Sequence, residues 1–157
     1  MPNDSGQFSL DVYAHILMTQ IFLSLAIVLL TSCATSPVKV GQSRAVPPDR
    51  LLAGFHRFAQ SSPERAKLVV IRDAGLLGAG ARAKLLVDGT PVAILWPGER
   101  VEVFVPAGDH ILGVVPQPQL LGALIETSSS TSAGRTYHFR ISISETSFTI
   151  QPTARFE

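Results

Sequence analysis

Short runs of alternating apolar and polar residues dominate the chain from Lys67 onward, and the clearest of them is the stretch 136–143. Successive side chains of a strand point to opposite faces of a sheet, so this alternation predicts a strand with one buried face. Its inward positions are predicted to be Tyr137, Phe139, Ile141 and Ile143, and its outward positions His138, Arg140 and Ser142.

Similar short segments recur about every ten residues, separated by turn residues. They are Lys67–Arg72, Lys84–Val87, Pro91–Trp96, Arg100–Val105, His110–Val115, Ala123–Ser128 and Ser147–Gln151. Asp88-Gly89 predicts a tight hairpin, because both central turn residues need positive φ. The other connections are too short for parallel crossovers. The pattern therefore predicts an all-β fold, a single antiparallel sandwich of seven to eight short strands, with a small barrel as the alternative.

The segment before these strands, residues 49–66, has a different pattern. Leu51, Leu52, Phe55 and Phe58 would share one face of a short helix that starts at Pro48. Gly54 disfavours that helix, so a strand or an irregular segment docked on the domain remains an alternative. We therefore separate 49–66, a short docking segment, from 67–157, the sandwich domain.

The strongest apolar run of the chain, Ile21–Leu30, is followed within three residues by Cys33, the only cysteine. The run has the length of the hydrophobic region of a secretory signal peptide and is short for a membrane span. Leu30-Thr31-Ser32-Cys33 resembles the bacterial lipobox, which implies cleavage before Cys33, attachment of diacylglyceryl to its thiol and an N-acyl chain such as palmitate on its amino group. This interpretation makes 1–32 a signal peptide and 33–48, rich in Ser, Pro and Gly, a flexible tether.

Two alternatives stay open for this region: an uncleaved anchor from about Tyr13 to Cys33, and a segment of a soluble core. A buried structural cysteine is disfavoured, because the residues after Cys33 have no apolar pattern. No Lys or Arg precedes Lys39, whereas signal peptides usually begin with a basic residue. A true translation start at Met18 would supply a positive terminal amine in that position.

Composition narrows the classes of function. About 125 of the 157 residues follow Cys33, enough for one domain. They carry 13 Lys and Arg against 10 Asp and Glu, since only Asp4 and Asp11 lie upstream, which gives a net charge of +3. The basic residues are scattered between apolar ones rather than clustered on one face. No nucleic-acid partner is therefore expected.

Two stretches resemble a known group of domains. Val87-Asp-Gly-Thr-Pro-Val-Ala-Ile-Leu95, and Val105-Pro-Ala-Gly-Asp-His-Ile-Leu112 after the Pro97-Gly98-Glu99 turn, are similar to PEGA-type β-sandwich domains and to related domains of bacterial lipoproteins. The resemblance covers about Leu68 to Ile150. It implies an immunoglobulin-like sandwich and a location in the cell envelope, and it implies no enzymatic activity.

Four residues are candidate ligand-binding or loop-fixing residues. Arg72 and Asp73, at a strand end, would form a salt bridge that fixes the following loop or would bind a ligand. Trp96 would stack on a sugar or on peptidoglycan, or would pack against the domain. His110 would hydrogen-bond to the backbone of its turn. The histidines lack metal-ligand spacing, and neither a GxSxG motif nor a P-loop occurs, so no metal, cofactor or catalytic residue is predicted.

The sequence thus predicts an envelope lipoprotein that is not an enzyme, with a binding or structural module anchored through Cys33. Ala34 follows the cysteine in place of the aspartate that retains some lipoproteins at the inner membrane, which favours the outer membrane facing the periplasm. Other envelope proteins or peptidoglycan are the expected partners. The alternatives are an uncleaved inner-membrane anchor carrying a domain of a sensor or secretion complex and, less favoured, an envelope hydrolase.

Overall fold

The computed structural model describes residues 17, 18, 20, 35–75, 80–119, 122–144 and 147–154. The chain divides into two units, Met1–Cys33 and Ala34–Glu157. Cys33 and nearly all of the predicted signal peptide lie outside the described residues. No helix among those described is long and apolar enough to cross a membrane.

In the part of the chain that the structure describes, nine strands form two sheets. The strands are β1 (Arg44–Ala45), β2 (Arg65–Arg72), β3 (Arg82–Val87), β4 (Thr90–Leu95), β5 (Glu99–Pro106), β6 (Gly108–Gln117), β7 (Ile125–Thr131), β8 (Thr136–Ser144) and β9 (Ser147–Pro152). One sheet has the order β1-β5-β2-β8-β9, and the other has the order β4-β3-β6-β7. The two sheets pack face to face, so the prediction of an all-β sandwich is confirmed.

The core follows from the alternation in the sequence. In β5 Val101, Val103 and Val105 are buried, and in β8 Phe139 and Ile141 are at most 1 % exposed. The two inner faces share one hydrophobic cluster, as expected for sheets that each bury one side. Asp88 and Gly89 have φ values of 49° and 72°, so the predicted hairpin turn joins β3 to β4.

Two strand pairs are parallel, which the sequence analysis did not anticipate. β2 pairs with β8 in parallel, with Leu68 opposite Tyr137, and β1 pairs in parallel with β5. Short turns exclude parallel pairing only between strands that are neighbours along the chain. β2 and β8 are far apart in sequence, so their parallel pairing needs no local crossover.

The segment 49–66 docks on the sandwich through 3₁₀ turns at Pro48–Arg50 and Ala53–Phe58 rather than through one α-helix. Phe58 is buried, and Leu51 and Phe55 pack against the core. Gly54 explains the close approach: a Cβ at this position would lie 2.3 Å from the carbonyl oxygen of Pro91. Only glycine fits there without displacing β4.

The residues expected to form a tether make specific contacts with the sandwich. Ser36 forms an antiparallel bridge with Ala74, through N···O distances of 2.6 and 3.2 Å. The hydroxyl of Thr35 donates to the carbonyl oxygen of Ile143 at 3.3 Å. Arg44 and Val46 donate their backbone N–H groups to Gly98 and Arg100. Within this segment, β1 (Arg44–Ala45) forms one edge of the five-stranded sheet.

Candidate functional site

The strand directions define two poles of the sandwich. At the amino-terminal pole β2, β4 and β8 end, β3 and β5 begin, and Thr35 and Ser36 join the fold. The opposite pole contains the Asp88–Gly89 turn and the turn between Pro106 and Gly108. Of the four candidate residues, Arg72, Asp73 and Trp96 lie at the amino-terminal pole, and His110 lies at the opposite pole.

Arg72 points into the interior and connects the two sheets. Its side chain is among the largest fully buried ones, and the residue is 1 % exposed. Nη1 donates to the carbonyl oxygens of Ala81 at 2.5 Å and Leu95 at 3.1 Å, both in the other sheet. The guanidinium carbon lies 5.4 Å from the centre of the Phe148 ring. Burial lowers the pKa of Arg72 to about 10, although the nearby charge of Glu99 raises it, so the side chain is charged at neutral pH.

Asp73 pairs with Arg140 rather than with its neighbour Arg72. Arg140 donates to Asp73 Oδ1 from Nη2 at 2.8 Å and from Nε at 3.2 Å. The same oxygen accepts the backbone N–H of Val38 at 3.3 Å. Asp73 therefore holds β8 and the amino-terminal segment together, and each member of the predicted pair forms a separate contact.

Glu99 is the residue at this pole that the sequence analysis missed. It is 4 % exposed, and its two carboxylate oxygens accept from Arg50 at 2.5 and 2.9 Å. Oε2 also accepts the backbone N–H of Trp96 at 2.8 Å. Pro97 and Gly98 occupy the central positions of the turn, and Gly98 has a φ of 77°, as a type II turn requires. The Pro97-Gly98-Glu99 sequence could therefore have predicted the position of Glu99, because it places this residue directly after the turn.

Trp96 is the exposed aromatic residue of the pole, with 42 % of its surface accessible. The guanidinium carbons of Arg50 and Arg82 lie 5.0 and 5.1 Å from the centre of its ring, within the range of a cation–π contact. Ala83 pairs with Leu95, which places Arg82 and Trp96 side by side at the ends of adjacent strands. Arg82 is exposed, and it also lines an open groove of about 320 Å³ with Gly80, Gln117 and Pro118.

His110 joins the two turns of the opposite pole. Nδ1 lies 2.8 Å from Asp88 Oδ2, and Nε2 lies 2.9 Å from the carbonyl oxygen of Pro106. Both partners are acceptors, so both contacts are hydrogen bonds only when the ring carries two protons. Burial alone would raise the pKa of Asp88. Hydrogen bonds from Ile111 N–H and His110, with the charges of His110 and Arg57, outweigh burial and lower that pKa.

Two further grooves lie on the surface of the sandwich. One, of about 320 Å³, is lined mainly by Val46, Leu51, Phe55 and Val101. The other, of about 410 Å³, includes Tyr137 and His138, whose pKa is lowered by burial and by the charge of Lys67. Within the described residues, no group of three or more His, Cys, Asp and Glu side chains could hold a metal ion.

Comparison with known proteins identifies no relative, so a function must be argued from the fold and from these contacts. The chain matches no protein-family model, no curated protein and no solved structure. The resemblance to PEGA-type domains therefore stays a prediction.

Proposed function

We propose that this protein is a lipid-anchored lipoprotein of the bacterial envelope, in which the β-sandwich is a binding or structural module without catalytic activity. The observation that carries the proposal is the position of Cys33. It ends an apolar run of signal-peptide length, and two residues later Thr35 makes the first contact of the sandwich. Two or three acyl chains on such a cysteine give stable membrane anchoring, whereas one does not.

The charged residues of the amino-terminal pole support a structural module. Arg72 satisfies two buried carbonyl groups, Asp73 pairs with Arg140, and Glu99 fixes Arg50 and the Trp96 turn. Each of these groups is engaged in holding chain segments together at the end where the chain enters the fold. This use of charge suits a domain that is held at that end by an anchor.

Metabolic labelling tests the anchor directly. Cells that express the full chain are grown with a clickable fatty acid, and the protein is then purified for intact mass measurement. We expect label on the protein, and a mass that corresponds to the chain from Cys33 plus its acyl groups. The Cys33→Ala variant should lose both the label and the cleavage. Ser32→Ala is the matched control, because it keeps a small residue before the cysteine and should stay labelled.

A full-length, unlabelled chain in the membrane fraction would contradict the proposal. That result would instead support the uncleaved anchor, with the same sandwich presented as part of a sensor or secretion complex. A soluble, unlabelled chain would contradict both.

A further inference from the structure

The distance between the acylated residue and the sandwich sets where the amino-terminal pole can lie. One residue, Ala34, separates Cys33 from Thr35. An extended chain covers about 3.5 Å per step, so the two steps from Cys33 to Thr35 reach about 7 Å. The headgroup layer of one leaflet is about 5–7 Å thick, from the difference between the total and the hydrocarbon thickness of a bilayer. A lipid-anchored sandwich with its first contacts at Thr35 and Ser36 therefore has this pole at the level of the headgroups.

The exposed side chains of the pole match that environment. Trp96 is 42 % exposed, and tryptophan is enriched at membrane–water interfaces because its ring is apolar and its N–H is polar. Arg82 is exposed beside it and stacks on its ring. A guanidinium group binds phosphate oxygens through paired hydrogen bonds. The two residues thus offer an interfacial ring and a phosphate donor next to each other.

The balance of charge at this pole also favours an anionic surface. Its described carboxylates Asp73 and Glu99 are 6 % and 4 % exposed and are ion-paired. The basic residues Lys39, Arg44 and Arg82 are exposed. The exposed carboxylate nearest along the chain to Lys39 and Arg44 is Asp49. The net exposed charge of these residues is positive, which is complementary to phospholipid phosphates.

We infer that the amino-terminal pole docks on the phospholipid bilayer, with Trp96 in the headgroup region and Arg82 bound to lipid phosphates. This inference rests on the proposed lipid anchor. A flexible tether would hold the domain clear of the membrane. Here, instead, the anchor and a lipid-contacting surface together fix the orientation of the domain.

Trp96 is the only tryptophan in the chain, so its fluorescence reports this surface alone. The acylated protein is purified from membranes and reconstituted into vesicles of phosphatidylethanolamine and phosphatidylglycerol. Lipids brominated near the headgroup or deep in the acyl chain serve as quenchers. We expect Trp96 emission to shift to shorter wavelength and to be quenched by the shallow bromines more than by the deep ones.

Arg82→Gln tests the phosphate contact, and Arg135→Gln is its matched control, because Arg135 is also exposed but lies in the β7–β8 turn at the opposite pole. One basic residue near an anionic surface changes binding about fivefold. The ratio of quenched to unquenched Trp96 populations, from fluorescence lifetimes, should fall about fivefold in Arg82→Gln and stay unchanged in Arg135→Gln.

Anchoring is measured separately, by intact mass and by flotation with the vesicles, which distinguishes the two proposals. An acylated, floating protein whose Trp96 emission is unshifted and unquenched would overturn the docking inference and leave the proposed function intact. An unacylated chain would overturn the proposed function and, with it, the inference. Protection of Trp96 from acrylamide only after addition of peptidoglycan would also overturn the inference, because the surface would then bind glycan.

Discussion

The two poles of the sandwich are closed by different chemistry. At the amino-terminal pole a buried guanidinium, Arg72, spans the sheets, and Glu99 holds a second arginine. At the opposite pole a histidine, His110, joins a carboxylate to a backbone carbonyl. The first set contains a buried cation that donates to two carbonyl groups, whereas the second contains a side chain that joins two turns. The amino-terminal pole is therefore expected to lose more stability than the opposite pole when its charged residue is replaced.

The largest effect is expected from Arg72→Met, which keeps much of the volume but removes the donor to Ala81 and Leu95. Two buried carbonyl groups would lose hydrogen bonds from a charged group, each worth about 1.5–3 kcal/mol. We expect the free energy of unfolding to fall by about 3–6 kcal/mol in urea titrations. The exposed control Arg135→Met should stay within about 0.5 kcal/mol of the parent. A loss below about 1 kcal/mol for Arg72→Met would contradict the cross-sheet role.

Glu99→Gln comes next, because it removes the charge that faces Arg50 but keeps an acceptor for the Trp96 N–H. We expect a loss of about 1–3 kcal/mol, the usual value for a buried hydrogen bond to a charged group. The same variant should lower the pKa of Arg72 further, since Glu99 raises it. Arg50→Gln is the paired measurement. Equal stability of the parent and Glu99→Gln would show that the ion pair contributes nothing to this pole.

At the opposite pole a double-mutant cycle measures the contact between His110 and Asp88. We expect His110→Ala and Asp88→Ala to be non-additive by about 1 kcal/mol, because the two side chains share one hydrogen bond. Unfolding by urea at neutral pH provides the four free energies. Strict additivity would mean that the observed 2.8 Å contact is not energetically coupled.

The smallest effect is the acid dependence of Asp88. Its pKa in the folded protein lies below the ordinary value of 3.8, so the unfolded chain binds the proton first as the pH falls. The stability that Asp88 provides is thus complete above pH 3.8 and is lost as the pH falls through the lower, folded-state value. Acid titrations followed by circular dichroism should be flatter in this range for Asp88→Asn. An unchanged acid profile would contradict the assignment.

Local patterns predicted much of the fold. Alternation located the strands from β2 to β9 to within a few residues, since one buried face imposes a period of two. The Asp88-Gly89 turn followed from the backbone conformations that these residues tolerate. β1 was missed because two residues, Arg44 and Ala45, carry no period. The docked conformation of the segment from Thr35 was also missed, because it depends on hydrogen bonds to distant strands.

The site was less predictable, for the same physical reason. Arg72 was a candidate for binding a ligand or fixing the following loop, but its described partners are the carbonyl groups of Ala81 and Leu95, which no local pattern records. Glu99 pairs with Arg50 across 49 positions of sequence. Trp96 was noted as an exposed platform or packing residue, and only the structure places Arg82 and Arg50 over its ring. Contacts between distant residues require the folded topology.

The parallel pairing of β2 with β8 also governs the order in which the chain can fold. In the β2–β8 pairing Leu68 lies opposite Tyr137, which is far along the chain. Because synthesis starts at the amino terminus, most of the chain has been made before β2 can pair with β8. Closing so long a loop makes assembly slow compared with local hairpins such as β3–β4. Until β8 arrives, the hydrogen-bonding edge of β2 on that side remains unpaired and open to pairing with another chain.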